Sequence, residues 1–147
     1  MEKIEIKGYK SIKEVILPLR SVNIFIGANG SGKSNFLSFF DFLKQAYNQN
    51  LQEYVALKGI DTFLHKGSKE TEEISTHLYF QGTNGYSFII KKGDVGFIFT
   101  KEGMWYGRNP YYNNPVDIAS FGNESSLRFN YMPRANYIKA YIKQLAK

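Results

Sequence analysis

The sequence predicts an α/β chain, α+β in detail: a strand, a glycine-rich loop and a helix, then an antiparallel β meander and a C-terminal helix. Three observations predict it. The β-branched and aromatic run Val22-Asn23-Ile24-Phe25-Ile26 feeds directly into Gly27. From Ser34 onward the apolar spacing becomes helical. Further on, Gly82-Thr83-Asn84-Gly85 separates two strand-like runs, and Asn-Gly favours the positive φ angles of a hairpin turn.

Taken in order, Lys3 to Lys7 alternates, with Ile4 and Ile6 on one side and Lys3, Glu5 and Lys7 on the other, as in a half-buried strand. Ile12 to Leu17 is a second strand, ended by Pro18. Val22 to Ile26 is a third, short enough to be a buried strand entering a tight loop. Phe36, Phe39, Phe40, Leu43 and Tyr47 then share one helical face, so a helix runs to about Asn48. Leu51 to Lys58 is a second short helix that Gly59 would stop, and His65 to Lys69 is a loop. The meander comprises Ile74–Phe80, Tyr86–Lys91 and Val95–Thr100, with a second turn at Gly93-Asp94 and a third at Glu102-Gly103 before Met104-Trp105-Tyr106. Residues 107–115 are rich in Gly, Asn and Pro and form a loop. From about Pro133, which suits a first helical turn, Ala135, Ile138, Tyr141, Ile142 and Leu145 make one stripe. Lys139, Lys143 and Lys147 recur on another face, which reads as a solvated helix surface.

The chain's 147 residues suit one domain with a sizeable core. Within it the expected parts are residues 1–50 around the loop, a β subdomain over 70–106 and a helix over 133–147. With no cysteine, disulfides, thiolate metal sites and cysteine nucleophiles are excluded. No apolar run approaches the roughly 20 residues of a membrane span, and the N-terminus lacks a secretory signal, so a cytoplasmic location without membrane contact is expected. Net charge is +6, with the excess toward the two ends: eight basic residues against five acidic over 1–60, and seven against three over 101–147.

The chemistry lies in Gly27-Ala28-Asn29-Gly30-Ser31-Gly32-Lys33-Ser34, which fits G-x-x-x-x-G-K-[ST]. Glycines permit backbone angles that let successive N–H groups curl around phosphate oxygens. The helix that follows aims its partially positive N-terminus at the same anion. Lys33 would bridge the β- and γ-phosphates, and Ser34 would offer its hydroxyl to Mg²⁺. The expected ligands are ATP and Mg²⁺. The candidate nucleotide residues are Gly27, Asn29, Gly30, Ser31, Gly32, Lys33, Ser34 and Asn35, with Ser34 also the metal ligand.

Together with this loop, Ile4-Glu5-Ile6-Lys7-Gly8-Tyr9-Lys10-Ser11-Ile12 and Asn23-Ile24-Phe25-Ile26 resemble the N-terminus of ABC-type ATPases of the SMC and RecF branch, nearest the bacterial "AAA family" ATPases of that branch, within the P-loop NTPase superfamily. The detailed likeness covers residues 1 to about 45, and a looser one runs on to the end. The resemblance implies an N-terminal ATPase lobe in which Lys10 and Ser11 touch phosphate or help seal the site. It also implies head-to-tail dimerisation around ATP.

The chain departs from that pattern. Such ATPases need an apolar strand ending in Asp and a following Glu that activates water. Asp41 lies in the predicted helix, while Asp61, Asp94 and Asp117 follow Gly59-Ile60, Lys92-Gly93 and Pro115-Val116. There is no Ser-Gly-Gly signature loop and no late switch histidine. Gln144 is in the final helix, so no glutamine is assigned to Mg²⁺ sensing, and His65 and His77 form no dyad or metal site. No catalytic residue is assigned.

The expected function is an ATP-binding lobe that does not hydrolyse ATP until a missing C-terminal lobe, or another segment or copy, completes it. An excised fragment, a truncated product and half of a split ATPase all fit. The alternative is a non-catalytic module that binds nucleic acid or protein and keeps a vestigial loop. In that reading Met104 to Tyr112 could stack on bases, although packing on its own sheet is the simpler role. A small kinase-like enzyme ranks last, because antiparallel strands rather than βα units follow the first helix.

Overall fold

The computed structural model describes residues 1–106, 115–119, 122–132 and 135–145. Its six strands are β1 (Lys3–Tyr9), β2 (Ile12–Pro18), β3 (Glu73–Phe80), β4 (Asn84–Lys92), β5 (Phe97–Trp105) and β6 (Val116–Ala119). They form one sheet in the order β2-β1-β3-β4-β5-β6, antiparallel at every pairing. The helices are α1 (Lys33–Tyr47), α2 (Leu51–Lys58) and α3 (Ala135–Leu145).

Side-chain alternation decides which face of the sheet is covered. In β3, Ile74, Thr76, Leu78 and Phe80 are buried, and the residues between them are half-exposed. Ile4 and Ile6 of β1 and Tyr86, Phe88 and Ile90 of β4 extend this apolar surface. Phe39 and Phe42 of α1 meet Tyr9 edge-on, with ring centroids 5.2 and 5.4 Å apart, and Tyr141 of α3 stacks on Phe80 at 4.6 Å. The α1 stripe anticipated from spacing is buried at Phe36, Phe39, Leu43 and Tyr47, and Phe42 joins it. In α3, Ala135, Ile138 and Ile142 are buried as expected.

Three local expectations are corrected. The β3–β4 turn falls at Gln81–Thr83, with positive φ at Gly82 and Thr83, and Asn84-Gly85 already belongs to β4. Glu102-Gly103 is not a turn, because β5 runs unbroken from Phe97 to Trp105. Thr100 is instead an extra residue: Ile89 pairs with Lys101, and Ile90 with Phe99. This bulge shifts the alternation by one, so odd-numbered Phe97 and Phe99 and even-numbered Glu102 and Met104 are all buried. Third, Val22 to Ile26 forms no strand, as described below. The expected loop over 107–115, apart from Pro115, and the Pro133 helix start lie outside the described residues.

Candidate nucleotide site

After β2 the Leu19 amide donates to the Glu2 carbonyl, and Asn23 closes a short turn with Arg20 in both directions. The chain then runs to Gly27 without joining the sheet, and every residue from Ser21 to Ser31 is exposed. Val22, Ile24 and Ile26 are 76%, 80% and 92% exposed. The composition of a buried strand is present, but no neighbouring strand among the described residues shares its backbone N–H and C=O groups. Phe25 alone reaches back, its ring 5.0 Å from that of Phe36 on α1.

The loop turns through a hydrogen bond that the Ser31 amide donates to the Ala28 carbonyl. It enters α1 through Gly32, whose φ of 93° and ψ of −1° are left-handed. A Cβ there would lie 3.1 Å from the Ser11 hydroxyl, so both conformation and space favour glycine. The first helical bond runs from the Phe36 amide to the Gly32 carbonyl. No side chain caps this end of α1, and no acid lies in its first turn. Its leading N–H groups therefore keep their capacity for an outside acceptor.

Lys33 folds back over the loop. Its ammonium donates to the carbonyls of Gly27 and Ala28 at 2.6 and 2.7 Å and to the Ser31 hydroxyl at 3.0 Å. A cavity of about 490 Å³ opens beside it, lined by Ser11, Val15 and Leu17 on one side and Phe25, Gly32 and Lys33 on the other. It couples an apolar wall to a cationic, amide-rich end.

The structure brings the sequence candidates together unevenly. Gly27, Asn29, Gly30, Ser31, Gly32, Lys33, Ser34 and Asn35 form one corner, exposed except at half-buried Gly32, Lys33 and Asn35. Ser11 joins it from the β1–β2 turn, accepting from Asn35 Nδ2 at 2.8 Å. Lys10 does not. Its φ of 48° sends the side chain along α1, where Nζ donates to Ser38 Oγ at 2.9 Å. Burial, with a smaller push from the Lys58 charge, lowers its affinity for a proton. The Tyr9 hydroxyl shares Ser38 at 3.1 Å, and His65 Nδ1 bonds the Lys10 carbonyl at 2.8 Å, so the β1–β2 turn is tied to α1 and to the loop at His65.

Two carboxylates that sequence reasoning left without a role hold the body behind the site. Glu102 is buried, accepting from the Tyr86 and Ser125 hydroxyls at 2.5 Å each and from the Ser126 amide at 2.8 Å. Glu124 caps α2 from a distance, accepting from the Leu51 and Gln52 amides at 3.1 and 2.9 Å. Burial raises the Glu124 pKa, and the two amide bonds oppose that rise. Neither role has a local signal, because each partner lies on a distant segment.

A mixed sheet-and-helix lobe carrying a G-x-x-x-x-G-K-S corner at a helix N-terminus defines a P-loop ATPase lobe. Residues 1–145 match the family model described as the AAA ATPase domain, and the chain belongs to that family. Among solved structures, a chain from a study of the structural biochemistry of ATP-driven dimerization and DNA stimulated activation of SMC ATPases superposes with a TM-score of 0.51 at 19% identity. The match covers 97% of this chain and 90% of that one and establishes a common fold. No curated protein sequence matches. Among the described residues, no helix is long and apolar enough to cross a membrane.

Proposed function

We propose that this chain is the ATP-holding lobe of an SMC-like ATPase, working in the cytoplasm and completed by a second segment before it hydrolyses. The observation that carries this reading is the uncapped N-terminus of α1, entered through left-handed Gly32 and overhung by the Lys33 ammonium. Amides, a cation and the neighbouring cavity fit a polyphosphate tail. The loop residues Gly27 to Ser34 and Asn35 would hold the phosphates, and Ser11 would close the near side. Lys10, bonded to Ser38, would support the turn rather than touch phosphate. The exposed Ser34 hydroxyl would take Mg²⁺, which when bound neutralises phosphate charge.

Completion is proposed because the described acid lining the cavity, Glu14, is paired with Lys7 at 2.8 Å, and no described strand ends in the Asp-Glu pair that such ATPases use. Asp117 lies within β6, on the far edge of the sheet from β2. The exposed Val22–Ile26 run supplies the apolar backbone against which a complementary lobe, or a second copy in a head-to-tail dimer, would pair.

Titration of a non-hydrolysable ATP analogue, with and without Mg²⁺, tests the reading in the wild type and in Lys33→Ala. Mg²⁺-dependent binding that the substitution abolishes is the expected result. Binding that survives it unchanged overturns the nucleotide site. Phosphate release by the isolated chain overturns the need for completion.

A further inference from the structure

The opposite end of α1 meets a second polar cavity that the nucleotide site does not use. About 430 Å³ in volume, it is lined by Tyr47 and Asn48 at the end of α1, by Arg128 and Phe129, and by Asn136, Lys139 and Lys143 along one side of α3. Among its described lining residues three are cations and none is a carboxylate. From Ser125 to Lys147 the sequence holds five basic residues and no acidic one. The ion pairs found among the described residues all lie elsewhere, on Lys3, Lys7, Lys66, Lys91 and Lys92.

The local bonds do not account for this charge. Arg128 gives one Nη1 bond, 3.3 Å long, to the Asn48 carbonyl, which offsets the partial negative charge of the α1 terminus and leaves most of its donors. Lys139 is tied to the Asn130 carbonyl at 2.6 Å. Lys143 has no partner among the described residues. Cations gathered without a counter-charge repel one another, and a polyanion relieves that repulsion.

Exposed aromatic rings accompany these cations. Phe129, which lines the cavity, is 58% exposed, and Tyr131 is 92% exposed. The Arg128 guanidinium lies 5.8 Å from the Phe129 ring centre, and Lys139 Nζ lies 5.8 Å from that of Tyr131. A phosphate groove bordered by solvent-facing rings matches the chemistry of single-stranded nucleic acid, whose backbone follows the cations while its unpaired bases stack. A duplex hides those base faces, and a lone mononucleotide would leave the outlying rings unused.

We propose that the groove between the end of α1, residues 127–131 and α3 binds single-stranded nucleic acid through Arg128, Lys143 and stacking on Phe129 and Tyr131. This site is independent of the phosphate loop. Helix α1 has 15 residues, which puts the two about 20 Å apart.

Fluorescence anisotropy of a labelled oligothymidylate against the full chain tests it, with circular dichroism to verify that each variant folds. Arg128→Glu and Lys143→Glu should each weaken binding roughly tenfold and flatten its salt dependence. Phe129→Ala and Tyr131→Ala, at exposed positions, should weaken it at least fivefold, in keeping with roughly 1–3 kcal/mol per stacked base. Lys101→Glu, on an exposed position of β5, should change little, and Lys33→Ala should retain oligonucleotide binding whether or not it binds ATP. Four results would overturn the proposal: no binding by the wild type, equal or tighter binding of duplex, competition by mononucleotide at similar concentration, or equal weakening by Lys101→Glu.

Discussion

The Lys33 ammonium donates to the carbonyl oxygen of Gly27, six residues earlier, at 2.6 Å. The lysine thus holds its own loop closed, and phosphate oxygens would take over contacts that the loop carbonyls make here. Replacing it with alanine removes both functions. Affinity for an ATP analogue should fall by roughly a hundredfold, as expected for lost charge-assisted hydrogen bonds of about 1.5–3 kcal/mol each. Calorimetric titration gives the affinity. The unfolding midpoint should move little, because this corner lies at the surface.

Gly8 constrains the fold beneath the β1–β2 turn. Its φ is +75°, and an added Cβ would sit 2.2 Å from the Glu73 carbonyl oxygen. Gly8→Ala therefore combines left-handed strain with a backbone clash, and a loss of about 2 kcal/mol or more is expected. Chemical denaturation checks the value. An unchanged midpoint would mean that β1 and β3 can separate at little cost.

Glu102 tests the buried network. Glu102→Ala leaves the Tyr86 and Ser125 hydroxyls and the Ser126 amide without their shared acceptor and opens space in the core. A loss of about 3 kcal/mol or more is expected, with Glu102→Gln losing less because one acceptor oxygen survives. Urea unfolding should rank the three proteins in that order.

His77 gives the fold an acid sensitivity. It is half-buried on β3 beside Tyr79 and Trp105, and the charged groups facing it are Glu5, Lys3 and Lys7 of β1. Burial is the main force lowering its pKa from the ordinary 6.5. The Lys3 and Lys7 charges add to it, and Glu5 opposes it. A depressed folded pKa means that the stability contribution is complete above 6.5 and is lost as pH falls through the lower folded value. Denaturation midpoints measured above and below that window should fall for the wild type and fall less for His77→Phe.

Much of this could be read from residue order, because much of it is local. The α1 stripe, the Leu51–Lys58 helix and the alternation of β3 follow from periods of 3.6 and 2. The loop was legible because its chemistry is packed into eight consecutive positions. What escaped was set at long range. The Val22–Ile26 run has strand composition, but a strand also needs a neighbour, and composition does not say whether one is present. The Thr100 bulge belongs to a register between two strands, and β6 joins the sheet edge as only four residues. The acceptors Glu102 and Glu124 serve partners up to 73 positions away. Lys10 was placed near the nucleotide by analogy, and a left-handed backbone turns it toward Ser38 instead.

The bare ribbon from Val22 to Ile26 also bears on how the purified chain behaves. At the sheet's own edge, β2 carries charges at Lys13 and Glu14 and finishes in proline, features that discourage neighbours from adding on. The ribbon has no such guard, so concentrated samples should self-associate, and light scattering should report growth with protein concentration. Substituting lysine for Ile24 or Ile26 should keep the particles small while leaving the melting curve in place, since neither side chain contributes to the interior.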